Sequence, residues 1–296
     1  VNKIPVGKTI GFAYDFAFNQ IGTVIGLIWV PMVAIGVLQF MPSLLGDTMV
    51  PPDQVAAAGA AALRNIGFGL LTMLLYAGIY VSVTRQALGL RKGPAAIYFM
   101  LGQAEFRMWG ALLLMGLLFV VFAMIFLIAV VSLTALAGST GNNPGVGLLL
   151  LAVIVGGSCA LIFVLVRLSF LLAPVTVAEG KISFERVWIL SRGNFWRIFV
   201  VMLGVGFPIL IVYLAASYAI MGNELVALVM QAPKLSQVVL NNRLQAILQG
   251  HISATIGLGL LLAPFTVGLS RAAAAAGYLA LTGAPRNPVE ASAVHS

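Results

Sequence analysis

The sequence predicts an all-α, polytopic membrane bundle of six transmembrane helices, and three observations carry that reading. Hydrophobic residues fill 61% of the 296 positions and charged residues only 8%, against roughly 25% charge in ordinary soluble domains; mean hydropathy is +1.08. Six apolar segments, at about 20–41, 65–84, 108–134, 146–172, 198–221 and 252–279, each approach or exceed the roughly 20 residues that cross a bilayer as a helix. The cations gather at the flanks of these segments, where topology and not a nucleic-acid face accounts for the net charge of +8.

Taken in order, residues 3–18 (KIPVGKTIGFAYDFAF) space Ile10, Tyr14 and Phe18 by four, the pattern of a helix lying in the membrane interface before the first span. The first long apolar run begins near Ile21, lacks a small-residue cleavage site and is long enough to stay as a span, so it does not read as a cleaved signal. Residues 42–64 combine a Pro-Pro turn with an alanine-rich piece, 135–145 is an uncharged turn, and 222–250 is a longer connector with room for one or two surface helices. Residues 282–296 form a polar tail. Cys159, alone and inside an apolar run, allows no intrachain disulfide.

Orientation follows from Lys and Arg. Lys3, Lys8, Arg85, Arg91, Lys92, Arg107, Arg167, Lys181, Arg186, Arg192, Arg197, Arg271 and Arg286 fall on one side; only Arg64, Lys234 and Arg243 fall on the other. By the positive-inside rule both termini are cytoplasmic.

A threefold helical-hairpin repeat is also expected. FNQIG at 18–22, FRMWG at 106–110 and FWRIF at 195–199 each open a span, with Phe18, Phe106 and Phe195 separated by 88 and 89 residues, and Lys92 to Lys181 repeats the 89-residue offset. LLAPVTV at 171–177 returns as LLAPFTV at 261–267, whereas a rival alignment matches Arg85, Arg167 and Arg271. The units are read as 3–85, 92–172 and 181–279 within one transmembrane domain, 1–281; shared membrane composition without duplication is the alternative.

Signatures of catalysis are missing from the sequence. No HExxH, GxSxG, phosphate-binding loop or clustered carboxylates occur, and His251 and His295 lie far apart, so neither a metal nor a cofactor is expected. Mid-span Asp, Glu, Lys and His are lacking, which weighs against a proton- or sodium-coupled transporter. Arg167 is the charge to explain: it either enters the bundle, pairing with Glu179, Glu105 or carbonyls freed by Pro174, or snorkels to the headgroups, the simpler reading. Pro31, Pro174, Pro208 and Pro264 are the expected helix kinks. Gly22 and Gly26 have the GxxxG spacing and read as helix packing.

The richest stretch is Arg167 to Phe199, RLSFLLAPVTVAEGKISFERVWILSRGNFWRIF. An amphipathic helix at 182–194 would set Ile182, Phe184, Val187, Trp188 and Leu190 on the membrane while Lys181, Arg186, Arg192 and Arg197 face the cytoplasmic leaflet, each worth on the order of 1 kcal/mol near anionic lipid. Trp29, Trp109, Trp188 and Trp196 read as interface residues. Candidate lipid or partner contacts are therefore Arg167, Lys181, Arg186, Trp188, Arg192, Trp196 and Arg197, with plain anchoring as the rival explanation.

Within this stretch Arg167, Ser169, Pro174, Glu179, Gly180, Trp188, Leu190, Arg192, Gly193, Phe195 and Trp196 resemble the YciC-like bacterial inner-membrane proteins and the membrane domain joined to some glycerophosphodiester phosphodiesterases. The specific match spans about forty residues. It implies a six-span protein of a bacterial inner membrane and transfers no catalytic residue; the hydrolase domain has no counterpart here. The leading expectation is a non-enzymatic accessory, scaffold or membrane-homeostasis protein that engages lipid headgroups or a membrane partner. A lipid or small-molecule transporter of flippase type is the alternative, and an intramembrane enzyme a third. Assembly as an oligomer is left open.

Overall fold

Apolar runs with no Asp, Glu or Lys to interrupt them must satisfy their own backbone hydrogen bonds in lipid, and helices do so within one segment. The computed structural model describes residues 2–44, 55–91, 101–139 and 144–284. Among these, the chain forms α1 (Val6–Asn19), α2 (Ile21–Leu44), α3 (Val55–Ala87), α4 (Gln103–Ser139), α5 (Pro144–Glu179), α6 (Phe184–Ser191), α7 (Phe195–Gln231), α8 (Gln237–Gly250) and α9 (Ile252–Thr282), with one 3-10 turn at Ala232–Lys234. No strand occurs among the described residues. Six helices, α2, α3, α4, α5, α7 and α9, are long and apolar enough to cross a membrane, so this is an integral, multi-pass membrane protein of all-α class. Residues 92–100 with Lys92, residues 140–143 of the expected uncharged turn, most of the expected Pro-Pro connector and Arg286 in the tail lie outside the described residues.

The ends of the fourth and fifth spans differ most from expectation. The fourth span continues through Pro174 to Glu179, which leaves Arg167 twelve residues, about 18 Å, before the helix end. The fifth runs on to Gln231, so the start of the expected connector, 222–231, belongs to α7, and its last 14 residues form α8, the expected short helix, which Ser236 caps by accepting from the Val239 N–H. Helices α2, α5, α7 and α9 pass unbroken through Pro31, Pro174, Pro208 and Pro264; each proline removes a backbone donor without ending its helix.

The last helix is the hub. α9 packs against α1, α2, α3, α5 and α7, and small residues make this possible: Ala272, Ala273, Ala274, Ala275 and Gly277 are all buried. A Cβ at Gly277 would lie 2.7 Å from the Phe170 ring, so α5 and α9 meet there only because the position is glycine. α1 docks along this surface by burying Thr9, Ala13, Phe16 and Ala17 while Lys8 and Asp15 stay exposed. It is thus an amphipathic helix seated on the bundle, running from Ile4 beside Gly277 to Ala17 beside Gly268.

Burial is uneven along the bundle. In α5 no described residue before Val166 is buried, whereas Leu171, Leu172, Ala173 and Val175 are fully so; in α4 burial stops after Ala111. The packed core lies at the end that gathers the N-terminus, α1, α6, the last turns of α3, α5 and α9, and the first turns of α4 and α7. Most of the basic residues lie at this end too, which is called the basic collar below. Towards the other end, α4 and α5 form a hairpin with apolar outer faces, suited to lipid contact.

Candidate functional site

The collar is held by polar groups that reach backbone atoms. Asn194, 1% exposed, stands between α6 and α7. Its Oδ1 accepts from the Ile4 N–H at 3.1 Å and its Nδ2 donates to the Asn2 carbonyl at 3.1 Å. Arg197 adds an Nη1 bond to the Ile4 carbonyl at 2.9 Å, and Asn2 reaches the Leu281 carbonyl at the end of α9. The N-terminal segment of residues 2–4 is therefore a strap that joins α7 to α9. Gly193, with φ of +75°, makes the corner from α6 into α7 in the left-handed region that glycine adopts without a Cβ penalty.

α6 owes its placement to its sequence. Ser183 caps it by accepting from the Arg186 N–H at 3.2 Å, and Val187, Leu190 and Ser191 face α5 at helical spacing. Arg167 completes the dock. Its Nε donates to Ser191 Oγ at 3.0 Å, one Nη donates to the Trp188 carbonyl at 2.7 Å, and the guanidinium lies over the Trp188 ring at 3.6 Å and the Phe163 ring at 5.3 Å. Arg167 is 7% exposed: it enters the bundle and does not snorkel, but it pairs with neither carboxylate. Its donors go instead to α6, because a packed helix end supplies a free carbonyl at the right distance.

The two carboxylates are already engaged. Glu179 accepts from Arg186 Nε at 3.0 Å and from the Tyr278 hydroxyl at 3.5 Å. Glu105, buried, meets Arg85 at 3.4 Å and accepts from the Gly102 N–H at 3.0 Å, closing the start of α4 against the end of α3. Asp15 bonds Asn19 on the exposed face of α1. Arg167, Glu179, Glu105 and Asp15 therefore do not converge in one cavity, and among the described residues no three His, Cys, Asp or Glu side chains gather as metal ligands.

The seven predicted contact residues divide into three groups. Arg167, Trp188, Arg192 and Trp196 line the seam of α5, α6 and α7, where Phe163, Phe195 and Phe199 extend the aromatic surface: Phe163 lies 4.7 Å from Phe195, which lies 5.1 Å from Trp196. Trp196 is 72% exposed, and Arg192, also exposed, is close enough to Arg167 for the two like charges to interact. Lys181 and Arg186 lie on another side, beside Arg107, which reaches Gly180. Arg197 is spent on the strap. Sequence reasoning passed over Ser191 and Asn194, whose partners are largely backbone atoms without a sequence signature. It also used Arg271 only to mark topology and to align the repeat, although the position of that residue inside the last apolar run was visible.

No family model, curated protein or solved structure matches the chain. What this collar can do chemically is to present exposed cations such as Arg192 beside the exposed Trp188 and Trp196 rings.

Proposed function

We propose that this chain is a non-enzymatic protein of a bacterial inner membrane, both termini cytoplasmic, that holds anionic lipid headgroups at the α5–α6–α7 seam and serves as an accessory or scaffold component. One observation carries the reading. Arg192 stands exposed at the seam with no hydrogen-bond or ion-pair partner among the described residues, near enough to Arg167 for the like charges to be felt, while Glu105 and Glu179 are committed to Arg85 and Arg186, and the Trp188 and Trp196 rings stand exposed beside it. A phosphodiester would neutralise Arg192 while the rings sit at headgroup level. The resemblance to YciC-like proteins at these residues supports only the bacterial inner-membrane part of the reading. Native mass spectrometry through a delipidation series tests it: retained anionic lipid that is lost with Arg192→Ala is expected, and a chain that keeps neither lipid nor protein partner would sink the proposal.

The transporter reading retains one specific support. A cavity of about 260 Å³ lies between the spans away from the collar, lined by Gln39, Tyr76, Tyr213 and Thr255 together with apolar residues of α2 and α9. Scrambling of labelled lipid in proteoliposomes would favour that role over the scaffold.

A further inference from the structure

Arg271 is the second guanidinium inside the bundle, eleven residues or about 16 Å before the end of α9. It therefore lies at nearly the same depth as Arg167, but its surroundings differ. Arg167 spends its donors on α6. Arg271 has the Tyr80 ring of α3 at 4.3 Å on one face and a long, 3.4 Å contact from Nε to its neighbour Ser270. No described carboxylate pairs with it, and its two Nη groups make no hydrogen bond to any described residue. A charge held among membrane helices without a counter-ion is costly and marks a functional position by default.

The second observation is the space beside it. A cavity of about 180 Å³ between α5, α7 and α9 is lined by Arg271 with Ser169, Thr266 and Ser270, and by Phe170, Met202 and Gly206 among its apolar walls. The Ser169 hydroxyl makes no hydrogen bond to any described residue, so it is free to donate. Met202 and Gly206 are exposed on the outer face of α7, so the cavity opens sideways towards lipid. Its volume falls below the roughly 300–1,000 Å³ of pockets that enclose a whole drug-sized ligand. It suits a headgroup whose chains stay outside.

We infer that Arg271 and Ser169 form an internal anion site that takes a phosphate group, with Tyr80 fixing the plane of the guanidinium. The two Nη groups match two phosphate oxygens in the fork geometry that makes arginine the usual phosphate partner, and the serine hydroxyl reaches a third. This site is separate from the Arg167–Arg192 seam and stands or falls independently of it. A phosphate could arrive on a lipid through the opening beside Gly206 or as the free ion.

The full chain, purified and delipidated in a non-ionic detergent, tests both sources by calorimetric titration with short-chain phosphatidylglycerol and with inorganic phosphate. In the Arg192→Ala background, which removes the seam's exposed cation, binding of either probe that weakens about tenfold or more on adding Arg271→Gln and weakens less on adding Ser169→Ala supports the site. Binding of the lipid alone assigns a lipid headgroup, and binding of phosphate assigns the free ion. Gly206→Leu keeps the test open should Arg271→Gln fail to fold: it must block the lipid probe by closing the lateral opening if the lipid enters there. No binding of either probe, or binding indifferent to both Arg271→Gln and Ser169→Ala, overturns the inference.

Discussion

The Arg167 guanidinium lies 3.6 Å over the ring of Trp188 while donating to that residue's own carbonyl at 2.7 Å. One side chain of α5 thus grips both the ring and the backbone of α6, and Ser191 Oγ, itself donating to the same carbonyl, completes the grip. α6 is only eight residues long, too short to be stable alone. Its helicity depends on this dock and on the buried Val187 and Leu190.

Replacing Arg167 with Lys keeps the charge but loses the planar fork and the stacking. The expected outcome is a loss of about 2–4 kcal/mol, as for breaking hydrogen bonds to a buried charge, concentrated at α6. Hydrogen exchange should then rise across 184–191 while the spans stay protected. Unchanged protection of α6 would show that Val187 and Leu190 hold it without Arg167.

Asn194→Ala removes both bonds to the strap and leaves the Ile4 N–H unpaired at a buried position. A cost of about 1–3 kcal/mol follows, together with release of residues 2–4. Limited proteolysis before Val6 should become faster in the variant than in the parent chain, and Arg197→Ala should add to the effect less than its own single cost because both side chains hold Ile4.

Glu105 and Arg85 close α3 onto α4. Glu105 is buried and Arg85 is a third exposed, so the pair is worth less than a fully buried one. Glu105→Gln leaves a cap for Gly102 but no charge, with an expected loss of about 1–2 kcal/mol. A double-mutant cycle with Arg85→Gln should return a coupling of about 0.5 kcal/mol or more; none would mean that the cap at Gly102 is all that matters.

The six spans were legible because a membrane helix is a long run of apolar residues and nothing else reads that way. α6 was legible too, from Val187, Trp188 and Leu190 at helical spacing next to Lys181 and Arg186. Helix ends were not: the apolar run ends near residue 172, yet α5 continues through Pro174 to Glu179 because the surrounding collar packs its last turns. Nor could the fate of Arg167 be read, since its acceptor is a carbonyl that every residue possesses. The run Ala272–Ala275 carries no signal beyond small membrane residues, yet all four are buried because α9 is packed on several sides. LLAPVTV and LLAPFTV, alike in sequence, lie at different depths, Pro174 five residues and Pro264 eighteen residues before the ends of their helices.

The proposal that the seam binds anionic lipid is tested most directly by tryptophan quenching. With Trp29 and Trp109 replaced by Phe, the remaining Trp188 and Trp196 report only on the seam. In nanodiscs, brominated phosphatidylglycerol present as a minor component should quench their fluorescence more strongly than brominated phosphatidylcholine at the same fraction, and Arg192→Ala should abolish the difference. Equal quenching by the two lipids in the parent chain would contradict the account.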